Sequence, residues 1–266
     1  MIATNPGDGE IRFHEAGSLV FKNALQPSGA THWWVKSRGD AIGWKVNSEQ
    51  KLTRAFSTQT LTMIPIESED GFEGAPPLAM ASLRMNTPRP GSITFQTSQG
   101  ASYRISHPED RRISAWAVFL DGRIALGTSN RLSIVDLTRG RRLTCFGHVG
   151  GITQTAVHRS GEILVSAGRD QTVRLWNASS CELLLTFFND EEDEWVAWTP
   201  EGYYIHSKNG AKLLGFRINR GARQSPIVES AEEMTTFHRP DRIRSILEAV
   251  TAFPDQEVPA DTKGTR

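Results

Sequence analysis

The chain has 266 residues, and its 30 basic and 30 acidic side chains cancel, which removes the global attraction that nucleic acid or an anionic membrane requires. At this length roughly 70 to 75% of the unfolded surface is buried on folding, so a core forms without a metal or a disulfide framework. The 2 cysteines, Cys145 and Cys181, lack CxxC spacing, sit in predicted strands and read as buried free thiols.

In chain order, "MIATNPGDGE" has no basic-then-apolar leader, and the longest apolar runs, "AWAVFL" and "LLLTFF", have strand rather than membrane length. A cytoplasmic protein is expected. The segment "WWVKSRGDAIGWKVN" (33 to 47) alternates like two strands around a turn, and the Pro-rich insert "EGAPPLAM…NTPRPG" follows it. Next, "SITFQTSQGASYRISH" (92 to 107) has strand, Gly-containing turn and strand in step with "SIVDLTRGRRLTCFGH" (133 to 148). The units "ISAWAVFLDGR" (113 to 123) and "ITQTAVHRSGE" (152 to 162) match each other. Sliding "SAGRDQTVRLWN" (166 to 177) back by 41 sets Gly127 under Gly168, Ser129 under Asp170 and Val135-Asp136 under Trp176-Asn177. A last copy is read in "WVAWTPEGYYIHSKNGAKLLGFRIN" (195 to 219). Third strands then end near 47, 96, 136, 177 and 219, a period of about 40 with a longer first interval. A repeat of that length built from short alternating strands predicts an all-β β-propeller of about five four-stranded blades, incomplete or with one blade hidden, spanning 1–222. A C-terminal extension (223–253) follows. Within it, "HRPDRIRSILEAV" predicts an amphipathic helix over 240–251, with Pro240 and Asp241 in the first turn and Ile243, Ile246, Leu247 and Val250 on one stripe facing the propeller. Residues 254–266 carry too little apolar content to order themselves.

The segment "FGHVGG…ILVSAGRDQTVRLWN" resembles a tryptophan-aspartate (WD) repeat, with Gly147-His148 as its Gly-His pair and Trp176-Asn177 in the WD place. The resemblance implies a hydrogen-bonded set of His148, Ser166, Asp170 and Trp176 that holds one blade, and it implies that "GEIRFHE" (9 to 15) is a stray strand closing the ring against the last blade. The last third is similar to bacterial WD-repeat proteins fused to caspase-like peptidases or other effector domains. His148, Ser166 and Asp170 also have the residue types of a hydrolytic triad, but no nucleophile elbow surrounds Ser166, and a strand hydroxyl is buried. In the structural role, Asp170→Ala costs roughly 1 to 3 kcal/mol by leaving buried donors unpaired.

The remaining motifs carry little chemistry. There is no phosphate loop, HExxH or EF-hand spacing, so no cofactor or metal is expected. The tryptophans Trp33, Trp44, Trp116, Trp176, Trp195 and Trp198 fit inter-blade packing, with Trp34 turned outward. The basic runs "EDRR" (109 to 112) and "RGRRL" (139 to 143) lack interleaved aromatics and read as loop charges, giving no nucleic-acid role. The leading expectation is a non-catalytic scaffold or sensing module that binds another protein through its loops. The residues assigned to that face are Arg169, Thr128 at the corresponding place one blade earlier, and Asp190, Glu191, Glu192 and Asp193 of an acidic loop. The alternatives are a propeller enzyme with a central-channel site, or a remnant of a larger effector-fused protein that oligomerises because its ring is incomplete.

Overall fold

The computed structural model describes residues 51–68, residues 113–251 with short gaps at 120, 130, 159, 191–193 and 221–222, and the strands that precede them. The N-terminal strands are β1 (Ile2–Thr4), β2 (Arg12–His14) and β3 (Leu19–Val20). A four-stranded antiparallel sheet follows, made of β4 (Trp34–Arg38), β5 (Ala41–Lys45), β6 (Arg54–Ser57) and β7 (Thr62–Pro65). Then come β8 (Leu83–Arg89), β9 (Ser92–Thr97) and β10 (Ser102–Ser106) in one sheet, and β11 (Ile113–Val118), β12 (Ile124–Thr128), β13 (Leu132–Asp136) and β14 (Arg141–Cys145) in the next. The following sheet is built on β15 (Ile152–Val157), β16 (Ile163–Gly168), β17 (Val173–Asn177) and β18 (Leu183–Asn189).

The strands β6, β13 and β17, each third in its sheet, and β9, the central one of three, end at Ser57, Asp136, Asn177 and Thr97; in chain order these ends are 40, 39 and 41 residues apart. The repeat is therefore more regular than the sequence suggests. The hairpin at 33 to 47 is the first and second strand of its blade, so the third strand ends ten residues later than expected, and the Pro-rich insert does not lengthen the period.

The expected fifth blade at 195 to 219 is not a blade. Strands β19 (Trp195–Trp198) and β20 (Tyr204–His206) pair onto the outer edge of β18, with Phe187 opposite Ala197, and extend that sheet to six strands. The physical reason is legible in the side chains. The run "WVAW" is buried at all four positions and "LLTFF" of β18 at all five, so both strands read as near-continuous apolar runs that need cover on both faces. The remaining strands, β21 (Gly215–Ile218) and β22 (Ile227–Ser230), join the N-terminal β1–β3 in an antiparallel sheet of order β1-β2-β3-β21-β22. Gly215 pairs with Val20 and Phe216 with Leu19, so the predicted stray strand reaches the last strands through β3.

Neighbouring sheets pack face to face, as propeller blades do. Leu164 and Trp176 of one sheet meet Ala115, Ala125 and Ile134 of the sheet before it, while Ile105 meets Val118 and Leu126. The opposite face of the β15–β20 sheet, with Val165, Leu175 and Phe187, packs on Ile42, Phe56 and Leu61 of the first blade. There Phe56 lies edge-on to Phe187 at 4.5 Å, and the Trp44 indole donates to Asn189 Oδ1 at 2.8 Å. Trp44→Phe keeps the ring contact and removes the hydrogen bond. Its expected cost is about 1 kcal/mol, read as a shift in the chemical-denaturation midpoint at constant slope; an unchanged midpoint would dissociate this bond from the docking of the first blade.

The helix α1 spans Pro240–Thr251 and buries Ile243 and Leu247 against the same face, with Ile246 and Val250 half-buried beside them. Tyr204 hydroxyl donates to the Ala231 carbonyl at 2.6 Å and ties β20 to the segment leading to the helix. Trp116, Trp195 and Trp198 are strand-borne and packed in the inter-sheet cores. The side chains of Trp33 and Trp34, and the tail at 254–266, lie outside the described residues.

The cysteines overturn the free-thiol reading. Cys145, the last residue of β14, forms a disulfide with Cys181, their Cα atoms 4.7 Å apart. Cys181 is in the turn between β17 and β18 rather than in a strand, at φ +62°. The bond therefore links two adjacent blades, and both residues belong to the core between those blades.

Candidate functional site

The turn between β16 and β17 is built on Asp170. His148 enters from the loop before β15, and its Nδ1 stands 2.9 Å from both carboxylate oxygens of Asp170. Its Nε2 is 2.8 Å from Ser166 Oγ, which also accepts the Trp176 indole N–H at 2.7 Å. The indole can only donate, so the Ser166 hydroxyl donates to Nε2 and Nδ1–H donates to Asp170; each buried polar group in the chain of bonds is then satisfied by one proton assignment. Asp170 further accepts the Val149 backbone N–H at 2.9 Å, and the Thr172 hydroxyl and N–H at 2.8 and 3.2 Å. Gly168 makes room for this: a Cβ there would stand 2.5 Å from His148 Nδ1 and 2.7 Å from Asp170 Oδ1.

One member of the set has no counterpart in the sequence reading. Arg174, fully buried, places Nη2 3.3 Å from Asp170 Oδ2 and Nε 3.0 Å from Thr172 Oγ1. Its position was visible, since Arg174 alternates with Val173 and Leu175 onto the face of Trp176. Burial favours the protonated form of Asp170, but the Arg174 charge, with the hydrogen bonds donated by His148 and the Val149 N–H, outweighs it and holds the carboxyl well below the usual range. Burial, aided by the Arg174 charge, keeps the His148 imidazole below its ordinary value despite Asp170.

The connectivity of Ser166, His148 and Asp170 matches that of a hydrolytic triad. The setting does not. Ser166 is fully enclosed, and its oxygen already accepts the indole N–H, so the arrangement fastens a turn.

Beside this turn is a cleft of about 360 Å³ between the two blades. Its walls are the starts of the innermost strands, Ile113 with Ser114 and Ile152 with Thr153, and its rim is formed by Ser129 and Arg169. Ser114 Oγ donates to the Ile152 carbonyl at 2.5 Å, stitching the two inner strands together. Arg169 N–H donates to the Gly151 carbonyl at 2.8 Å, which fixes its backbone while the side chain stays exposed.

Thr128 does not take the place assigned to it. Ala167 pairs with Val173 across the β16–β17 turn, whereas Gly127 pairs with Leu132 across β12–β13. The earlier turn is one residue shorter, so the structural equivalent of Thr128 is Gly168, which faces inward, and that of Arg169 is Ser129. Thr128 is fully buried, its Oγ1 donating to the Arg131 carbonyl and accepting the Arg131 N–H, both at 3.1 Å.

Asp190 lies at the same end of the sheet as Arg169 but two strands farther out. It closes its loop by accepting the Glu194 N–H at 2.9 Å and donating its own N–H to the Glu194 carbonyl at 2.9 Å. Glu191, Glu192 and Asp193 lie outside the described residues. Glu194 accepts from the Ser207 hydroxyl and from the Asn209 N–H and side-chain amide, which depress its carboxyl. Among the described residues no three His, Cys, Asp or Glu side chains are grouped to hold a metal ion, and no helix is long and apolar enough to cross a membrane.

Comparison with known proteins agrees with this geometry at one blade. Residues 140–177 match the family model "WD domain, G-beta repeat". Protein HIR1 from two strains of Cryptococcus neoformans var. neoformans serotype D is 24% identical over 157 residues, covering 58% of this chain and 17% of HIR1; the chain thus spans about a sixth of that relative. Among solved structures, the RRP9 WD40 repeats superimpose with a TM-score of 0.38 at 18% identity, covering 47% of each chain, and U3-55K with 0.37 at 16%, covering 57% of this chain and 58% of that one. The family match, the Asp170 hydrogen-bond set and the sheet order converge: residues 140–177 carry a WD domain, G-beta repeat, within an all-β chain of propeller-type blades.

Proposed function

We propose that the chain is a non-catalytic protein-interaction module and that the cleft between the β11–β14 and β15–β20 sheets, rimmed by Arg169 and Ser129, is its docking site. The observation that carries this reading is the chemistry of the cleft. A rigid frame presents an exposed cation, Arg169, among short hydroxyl side chains, an arrangement suited to recognising an acidic or carbonyl-rich surface. The enzyme reading needs several titratable groups converging on the inner strands, and among the described residues that line the cleft Arg169 is the one ionisable side chain. Asp190, with the acidic residues 191–193, serves as a second, outer contact. The same proposal includes a regulatory role, with the catalytic partner on another chain and no nucleic acid involved; it rests on the resemblance of the last third to effector-fused proteins and on the balanced charge of the chain. The Cys145–Cys181 bond favours an oxidising compartment over the cytoplasm expected from the N-terminal sequence.

The test is affinity purification from the native cell with mass spectrometry, comparing the wild-type chain with Arg169→Glu and Asp190→Lys. Arg169 is exposed, so its replacement should change stability by no more than about 0.5 kcal/mol. Specific partners should be lost with Arg169→Glu and weakened with Asp190→Lys. Partners recovered undiminished from both variants would remove the docking assignment.

A further inference from the structure

We propose that the outer edge of β14 is a second docking site, on which an acidic, extended peptide segment adds to the blade as a fifth strand. Strand β14 ends its sheet, and among the described residues no strand pairs with its outer edge. The next blade shows what such an edge accepts: the equivalent strand β18 is covered by β19 in antiparallel register. The two edges differ in chemistry. Where β18 carries no charge and is apolar at five of its seven positions, β14 reads Arg-Arg-Leu-Thr-Cys, with Arg141 and Arg142 exposed and without an acidic partner among the described residues. Arg139, 77% exposed, adds a third cation at the turn, 3.3 Å from Asp136. The basic run thus lies along a strand edge rather than in a loop.

Charged residues on an edge strand commonly guard it against aggregation. That function does not account for Phe146, which directly follows β14 and is 78% exposed, the most exposed large apolar side chain among the described residues. An edge meant only to repel strands would not end in a bare aromatic ring. The edge is also pre-organised, because Cys145 is bonded to the neighbouring blade, so little backbone entropy is lost when a strand docks.

Alternation predicts what the incoming strand carries. Arg142, Thr144 and Phe146 share one face, and Arg141, Leu143 and Cys145 the other; Leu143 and Cys145 indeed pack in the core toward the following blade. An antiparallel partner places an apolar side chain opposite Phe146 and, four and five residues later, acidic side chains opposite Arg142 and Arg141. This surface is at the other end of the sheet from the cleft on β11 and stands independently of it.

The test uses fluorescence anisotropy with the full chain and a labelled ten-residue probe whose centre reads Phe-Thr-Val-Thr-Asp-Glu. Saturable binding below about 100 µM is expected. It should weaken at least roughly tenfold for a probe with Lys-Lys in place of Asp-Glu, for the Arg141→Glu/Arg142→Glu chain, and for a probe N-methylated at every backbone amide of its centre, which keeps its charge but has no N–H on either edge to add as a strand. Phe146→Ser should weaken it several-fold, and Arg169→Glu should leave it unchanged. Absence of saturable binding, undiminished binding by the N-methylated probe or by the double variant at unaltered melting temperature, or tighter binding of a decauridylate would each overturn the proposal.

Discussion

Asp170→Ala is expected to lower the unfolding free energy by about 3–5 kcal/mol, more than the loss of a turn-capping side chain would give. The difference is Arg174. The carboxylate is the counter-charge of a guanidinium that is 1% exposed, and its removal strands that charge inside the blade while also orphaning the His148, Val149 and Thr172 donors. The Arg174→Met/Asp170→Ala double variant should recover a large part of the loss, since two apolar groups in place of a buried pair are tolerated far better than one partner alone. Urea denaturation of the two single variants and the double variant measures the coupling; simple additivity would mean that the pair does not interact energetically. The pH dependence follows with the same sign for both titrating members. His148 binds a proton less readily folded than unfolded, so stability begins to fall as pH drops below about 6.5, where the unfolded imidazole charges first. Asp170, depressed in the fold, contributes its full stabilisation above about pH 4 and loses it with further acidification.

Removing the Cys145–Cys181 bond is expected to cost about 3–4 kcal/mol. The bond closes a loop across a separation of 36 residues, and the entropy taken from the unfolded chain by a loop of that length supplies an effect of this size. Cys145→Ala/Cys181→Ala avoids introducing hydroxyls into the inter-blade core. The melting temperature of the wild-type chain should fall toward that of the double variant when reductant is added, and the variant itself should not respond. Two thiols titrating in the native, unreduced protein would show the bond to be absent.

The blade around Asp170 was legible because its side chains are typed by chemistry: a Gly-His pair, a tight turn with a carboxylate and a tryptophan at fixed spacing leave few alternatives. The helix was legible because its stripe of Ile243, Ile246, Leu247 and Val250 follows helical spacing over two turns. What escaped are features that depend on register or on contacts between blades. A turn one residue shorter moved Thr128 from the rim into the interior, and no composition signal marks such a change. The run "WVAWTPEGYY" has the same strand-turn-strand pattern whether it starts a new blade or extends an old one; the choice was made by the apolar outer strand β18, which needed cover. The disulfide joins a strand end to a turn in the next blade, and the spacing of two cysteines says nothing of that pairing. Arg174 was hidden by its type, because a strand arginine is ordinarily exposed, and only the carboxylate below it allows it to be enclosed.

The packing of the first blade on the fourth has a consequence for synthesis. Phe56 is made early, but its ring partner Phe187 lies 131 positions later in the chain. At typical elongation rates of about 5–20 residues per second, the apolar face of the first blade waits roughly 7 to 26 s for its neighbour. The sheet that joins the two ends of the fold waits longer still, since Leu19 and Val20 pair with residues near 215. A nascent chain of this protein therefore exposes Ile42, Phe56 and Leu61 until the segment around Phe187 emerges. Chaperone occupancy should be highest before the segment around Phe187 emerges and should fall once it does.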